Sequence, residues 1–208
     1  MNVLIVCDAQ NDNIKGKMAY QDAERICSKL EKKLKGFKGL SVFTMRTFPE
    51  YAFEDEEGNI AKDHYCMEGS EGWEIDDRFM DRAYGTVGGD EESCCDGDCQ
   101  GGCSGEGCEG ESCGKEESYI LPVEHADHGC FALANQLRPF DVSEKIDSIE
   151  LCGFGLEDVI LSNAVILHTA FPYANIVVDK DYCAARKISS GHTALKALRS
   201  CGIAVIED

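Results

Sequence analysis

The sequence predicts an α/β fold with three layers, α/β/α, in which a mostly parallel, doubly wound (Rossmann-like) sheet carries helices on both faces. Short apolar runs alternate along the chain with longer amphipathic segments, which is the pattern of strand–helix–strand units. The first run, Asn2–Cys7, is continuously apolar, as expected for a parallel strand that is covered on both faces. Residues 20–34 carry apolar side chains at helical spacing. Right-handed crossovers between such strands place helices on both sides of the sheet.

The other elements follow from the same two patterns of hydrophobic spacing. The further predicted strands are short apolar runs at residues 40–45, 119–123, 149–154, 176–179 and 203–206. The further predicted helices lie at residues 73–83, 131–137, about 156–171 and 190–200. Ser190 is the expected N-cap of the last helix and Gly202 its stop, and residues 181–185 are expected to form a turn.

Length and charge restrict the classes of protein to which the chain can belong. Its 208 residues suffice for one α/β domain over residues 1–208, interrupted by an insert at about residues 84–117. The net charge of −19 argues against nucleic acid and anionic membranes as partners, because both need Lys and Arg. We find no signal peptide and no apolar run that could span a bilayer, so we expect a cytoplasmic protein. Thirteen cysteines in that compartment indicate thiols or metal ligation before disulfides.

The insert is rich in glycine, cysteine and acidic residues, and it has too few apolar residues for a core of its own. Its six cysteines are Cys94, Cys95, Cys99, Cys103, Cys108 and Cys113. This spacing fits neither zinc fingers nor ferredoxins, but dense thiolates select Zn, Cu(I) or an iron–sulfur cluster. The insert is therefore a candidate metal site. Disulfides and an acidic loop without metal are the alternatives.

Three separated segments resemble one known family. Residues 3–12 (VLIVCDAQND) are similar to the opening strand and D-x-Q-N-D motif of the isochorismatase-like cysteine hydrolases, which include the nicotinamidases. Residues 64–75 (HYCMEGSEGWEI) resemble their H-C-x-x-G-T-x-G-W-E-I segment. Residues 152–164 (CGFGLEDVILSNA) resemble their V-G-x-x-T-D-x-C-V-x-S-N-A turn. The resemblance leaves out only the insert and implies the α/β/α fold.

The resemblance also implies a catalytic triad of Asp, Lys and Cys, and this chain keeps only its first member. Asp8 matches the base, the Lys position falls on His125, and the position of the nucleophilic Cys falls on Val159. An isopropyl group has no lone pair and cannot attack a carbon centre. The nicotinamidase metal ligands fall near Arg46 and Phe48, so that only His64 of that site is left. We therefore expect a protein without cysteine hydrolase activity, in which Asp8 either remains as a base or simply caps a buried strand.

Two further interpretations stay open at this point. The chain could hydrolyse a small amide or ester with another nucleophile, such as Cys130 beside His125 or His128, or it could bind a small-molecule ligand without turnover. The two histidines could also bind a metal ion together with cysteines of the insert, or they could be ordinary loop residues. The resemblance further implies that the chain forms homo-oligomers.

Overall fold

The computed structural model describes residues 1–55, 58–59, 61, 64–84, 86–87, 118–119 and 121–207, with the backbone alone at 86–87 and 118–119. The candidate metal ligands of the insert, Cys94 to Cys113, lie outside the described residues. The strands are β1 (Asn2–Cys7), β2 (Leu40–Arg46), β3 (Thr86–Val87), β4 (Ser118–Tyr119), β5 (Val123–His125), β6 (Ser148–Phe154), β7 (Asn175–Ala184) and β8 (Ala204–Ile206). The helices are α1 (Asn11–Ile14), α2 (Ala23–Gly36), α3 (Met80–Ala83), α4 (Phe131–Glu144), α5 (Leu161–Ala170) and α6 (Ile188–Ser200).

The central sheet has six strands in the order β5-β2-β1-β6-β7-β8, and every neighbouring pair is parallel. The chain leaves β1 toward one edge and later returns to form β6 on the other side of β1. The strand order therefore reverses between β1 and β6, and such a switch point is where open α/β sheets place their ligand sites. The backbones of β3 and β4 form a separate antiparallel pair at the base of the insert.

Two hydrophobic clusters cover the two faces of the sheet. Val3, Ile5 and Cys7 of β1 belong to the cluster that contains residues of α4, α5 and α6, whereas Leu4 and Val6 belong to the cluster that contains residues of α2. The apolar run of β1 is thus buried on both sides, because successive side chains of a strand point to opposite faces. The predicted three-layer α/β/α fold with its doubly wound sheet is confirmed.

Four local predictions are wrong. The strand expected at residues 119–123 is not formed, because β4 and β5 belong to different sheets and residues 121–122 lie in no strand. Residues 73–83 are helical only from Asp77, because the Asp76 carboxylate caps the backbone N–H of Arg78 and fixes the start of the helical segment there. The turn expected at residues 181–185 is the end of a long strand, since β7 pairs with β6 again beyond a register shift. Ser190 lies inside α6, which begins at Ile188 with Lys187 as its N-cap.

Gly202 ends α6 as expected, with a positive φ of 80°. Within the described part of the chain, no helix combines the length and the apolar character that crossing a membrane requires.

Candidate functional site

The candidate site lies at the carboxyl ends of the strands around the switch point. Asp8 follows β1, Arg46 ends β2, His125 ends β5, and Gly155 follows β6. These four residues are far apart in the sequence, but parallel strands bring their carboxyl ends to one edge of the sheet. The sheet order therefore explains why the positions implied by the resemblance lie together.

Asp8 is 2% exposed, and its carboxylate is already engaged. Its Oδ1 atom accepts hydrogen bonds from Thr44 Oγ1 at 2.7 Å and from His125 Nε2 at 2.8 Å. Its backbone has a φ of 48°, which is uncommon for a residue other than glycine and marks a site held by its surroundings. The backbone N–H of Asp8 donates to Thr44 O, and the Asn13 side chain donates to Asp8 O, which holds this conformation.

The contacts of His125 favour the protonated form of its ring. Its Nδ1 atom contacts the carbonyl oxygen of Asp127 and its Nε2 atom contacts the Asp8 carboxylate, so both ring nitrogens must donate. Burial by itself lowers the pKa of His125, but the hydrogen bond and the charge of Asp8 outweigh it and raise that pKa above its ordinary value. Burial likewise raises the pKa of Asp8, but His125, Arg46 and Thr44 outweigh it, so that this pKa is lowered. The two side chains therefore form a buried ion pair.

Arg46 lies between two carboxylates. Its Nε atom is 3.6 Å from Asp8 Oδ2, and its Nη2 atom is 3.4 Å from Asp158 Oδ2. The buried amide side chain of Gln10 holds the backbone of Arg46, because it accepts from the N–H and donates to the carbonyl, each at 2.8 Å. His128 is more distant, with Nδ1 3.8 Å from Asp158 Oδ2 and a side chain that is 60% exposed.

Val159 fills the position at which the resemblance implies a nucleophile. It lies in a π-helical turn, Leu156–Ile160, that precedes α5, and it is 1% exposed within a hydrophobic cluster. The turn begins at Gly155, whose φ of 83° suits glycine, and Gly153 has a φ of 108°. A Cβ atom at Gly153 would overlap the backbone of Cys7. Gly153, the glycine of the family motif, is therefore required where it stands, which supports the alignment that assigns Val159 to the nucleophile position.

The cysteines of the described residues do not replace the missing nucleophile. Six of these seven are buried, Cys201 is exposed, and none of them hydrogen-bonds to the Asp8 carboxylate. Cys130 is the N-cap residue of α4, its thiol donates to the carbonyl of Glu124, and burial raises the pKa of that thiol. Burial, with the charges of Asp8 and Asp12, raises the pKa of Cys66 to about 12. A thiol must lose its proton to attack, so both environments favour the inert form.

A metal ion of the kind implied by the resemblance does not fit these side chains. The guanidinium of Arg46 is a fixed cation, and Phe48 packs edge-on against Tyr65 with ring centroids 5.2 Å apart. The remaining candidate, His64, has Nδ1 2.9 Å from the carbonyl of Ala61 and Nε2 3.3 Å from the Lys17 ammonium. Among the residues that the structure describes, no three His, Cys, Asp or Glu side chains form a group that could hold a metal ion.

Sequence reasoning missed several members of this site. Thr44 donates a hydrogen bond to Asp8, and Asp158 forms an ion pair with Arg46. Nothing in the sequence spacing of Thr44 or Asp158 marks them as residues of the site. Gln10 could have been found, because it belongs to the D-x-Q-N-D segment that carried the resemblance.

The comparisons with solved structures agree with the fold. A pyrazinamidase of Pyrococcus horikoshii in complex with zinc has a TM-score of 0.65 and 18% identity over 100% of this chain and 99% of that chain. The nicotinamidase PncA from Bacillus subtilis has a TM-score of 0.64 and 18% identity over 99% of both chains. An isochorismatase family protein from Desulfovibrio vulgaris has a TM-score of 0.62 and 17% identity over 98% of this chain and 92% of that chain.

No protein-family model and no curated protein sequence matches the chain. The similarity to the solved structures is what establishes the isochorismatase-like hydrolase fold, which the three sequence segments predict.

Proposed function

We propose that this chain is a divergent protein of the isochorismatase-like fold that has lost cysteine hydrolase chemistry. The observation that carries the proposal is Val159, a buried aliphatic side chain where related proteins have a thiol at the start of a helix. A hydrolase of this kind needs a sulfur atom at that point and a base that can take its proton. This chain keeps the base position in Asp8, and among the described residues no cysteine thiol hydrogen-bonds to it.

The surroundings of Asp8 support the same conclusion. A general base needs a lone pair that faces the reacting group. The Oδ1 atom of Asp8 already accepts two hydrogen bonds, and Arg46 faces the Oδ2 atom. His125 supplies a positive charge at the Lys position, but both of its ring nitrogens are engaged. The charged side chains of the site thus face one another, and this arrangement does not offer Asp8 as a free base to a substrate.

We further propose that the insert binds a soft metal ion, either Zn or Cu(I), or an iron–sulfur cluster, through Cys94, Cys95, Cys99, Cys103, Cys108 and Cys113. The support is the density of thiols in the sequence, because thiolates select these metals. The antiparallel pairing of β3 with β4 is compatible with it, since it brings the backbones on either side of the insert next to each other.

Metal analysis of protein purified without oxygen tests this half of the proposal. We expect stoichiometric zinc, copper or iron, and we expect it to be lost when the six insert cysteines are replaced by serine. Cys201→Ser is the matched control, because Cys201 is an exposed free thiol outside the insert and its replacement should leave the metal content unchanged. Metal-free protein, with insert thiols that are either fully reactive or paired in disulfides, would overturn the proposal.

The alternative is hydrolysis of a small amide or ester by Cys130. Its buried thiol and raised pKa do not favour this function. Nicotinamide and pyrazinamide are the first substrates to test, since similar structures are a nicotinamidase and a pyrazinamidase. Turnover that Cys130→Ala abolishes and Cys201→Ser preserves would establish the alternative. Ligand binding without turnover, self-association and a cytoplasmic location remain predictions from the sequence.

A further inference from the structure

A groove lies at the end of the sheet opposite the candidate site. Its walls come from the end of α4 and from the turn between α5 and β7, and they include Asp141, Lys145, Ile146, Phe171, Pro172 and Ala174. Ile146 precedes β6 and Ala174 precedes β7, so the groove lies at the amino ends of these strands. Its volume of about 250 Å³ is below the range of about 300–1,000 Å³ that is typical of small-molecule sites. The groove therefore suits one protruding side chain better than a small-molecule ligand.

Tyr173 protrudes beside this groove. It lies in the middle of the tight turn of residues 171–174, and its side chain is 92% exposed. Pro172 fixes its own φ within this turn, and the backbone N–H of Ala174 donates to the carbonyl of Phe171 at 3.1 Å. A short turn of this kind presents the aromatic ring in a defined place, so that little freedom is lost when the ring is bound. Tyrosine is also enriched in protein interfaces.

The region around the groove is electrically neutral, although the chain as a whole has a net charge of −19. Residues 138–147 carry two basic and three acidic side chains, and the N-terminal ammonium, which pairs with the last of these acids, brings the sum to zero. Residues 171–175 carry no charge. A basic partner would be attracted to the acidic remainder of the surface, whereas two copies of this chain repel each other there. A neutral region is where two such copies can approach.

We infer that this face is the interface of a homodimer, in which Tyr173 of each copy enters the groove of the other. The side chain and the groove lie on the same face, so a twofold axis pairs them twice. Val142, which follows the groove residue Asp141 in α4, is 88% exposed and extends the apolar surface. The inference goes beyond the proposed function, and either can fail without the other, because the groove shares no residue with the candidate site.

The area of this contact predicts a weak dimer. A buried aromatic side chain removes about 150–250 Å² from solvent, and the walls that receive it lose a similar area, so two such insertions bury about 600–1,000 Å². A standard interface buries about 1,600 Å² in total, and smaller ones belong to transient complexes. We therefore expect a Kd in the micromolar range.

Sedimentation velocity of the full chain tests the inference, at protein concentrations from the low micromolar to the submillimolar range. A reductant is present, because Cys201 is an exposed free thiol and must not form a disulfide between copies. We expect the sedimentation coefficient to rise with concentration from the value of a monomer to that of a dimer. Tyr173→Asp should raise the Kd of the dimer at least about tenfold, because it places a charge where a tyrosine fills an apolar groove.

The matched control is Tyr51→Asp, which adds the same charge at a tyrosine that is 75% exposed in the segment after β2, at the other end of the sheet. This control should change the Kd by less than about threefold, since salt screens a single exposed charge. If Tyr173→Asp does not fold, Val142→Asp provides the second test. Its control is Ile188→Asp, at an aliphatic residue that is 80% exposed at the start of α6.

Three results would overturn the inference. A chain that stays monomeric over this concentration range would leave the groove to a partner of another kind. A dimer that the folded variant weakens no more than its control does would use a different face. Assemblies that grow beyond two copies would also overturn the inference, because they need a heterologous contact, whereas a twofold interface closes at a dimer.

Discussion

Asp8→Asn should destabilise the protein strongly, although it only replaces one carboxylate oxygen by an amide nitrogen. Asparagine has the same shape, keeps an oxygen for Thr44 and tolerates a φ of 48° better than most residues, so the replacement removes mainly the charge. The charge lies 2.8 Å from His125 Nε2 and 3.6 Å from Arg46 Nε. At an effective dielectric constant of about 20, these distances correspond to attractions of about 6 and about 5 kcal/mol before the cost of desolvation.

The net loss is smaller, because desolvation offsets most of this attraction. Removing one partner of a buried ion pair costs about 3–5 kcal/mol. For a chain of this length we expect the midpoint of thermal unfolding to fall by about 6–20 °C. Urea unfolding at pH 6, followed by far-UV circular dichroism in the presence of reductant, measures the free energy directly.

The matched control is Asp22→Asn, which removes the same charge from an exposed pair with Arg25. We expect a change of no more than about 1 kcal/mol there. If Asp8→Asn costs no more than this control, the carboxylate of Asp8 is not the centre of a buried ion-pair network, and the description of the site as an internally paired cluster is wrong.

Three further predictions follow from the site and its turn. The pKa of His125 is raised, so its contribution to the free energy of unfolding should be complete below about pH 6.5 and should decrease as the pH rises through the folded-state pKa. His125→Gln should therefore flatten the dependence of the free energy of unfolding on pH, measured below about pH 8, where the cysteine thiols do not yet titrate. Gly153→Ala should lower the free energy of unfolding in urea by more than about 3 kcal/mol, since its Cβ would overlap the backbone of Cys7 at a φ of 108°. The control Gly36→Ala, at the end of α2, has free space for its Cβ and should change the free energy of unfolding by less than about 1 kcal/mol. Val159→Cys should restore no release of ammonia from nicotinamide, because the lysine position remains His125 and the Asp8 carboxylate remains engaged; turnover by this variant would mean that a thiol was the only missing part.

The sequence predicts the fold well because its signals are local. The apolar run of β1 is buried on both faces, and Gly153 and Gly155 occupy backbone conformations that suit glycine. Each of these features can be read from a few consecutive residues. The α/β/α fold also follows from the resemblance, since three separated segments keep the family's order along the chain.

The contacts of the site could not be predicted in the same way. Thr44 donates to Asp8 only because β2 is the neighbour of β1, and Arg46 reaches Asp158 only because β6 lies on the other side. The sequence placed Arg46 near a ligand position of the nicotinamidase metal site, but it gave no sign that this side chain would approach two carboxylates. Pairing between distant residues depends on the sheet order and on side-chain directions, which no short motif encodes.

The most direct measurement for the loss of cysteine hydrolase chemistry is ammonia release from nicotinamide and pyrazinamide by the wild-type protein, compared with Asp8→Asn. We predict that both proteins release no more ammonia than the buffer. Turnover by the wild type would contradict the proposed loss of hydrolase chemistry. If that turnover disappears in Asp8→Asn protein that is still folded by far-UV circular dichroism, Asp8 still serves a nucleophile.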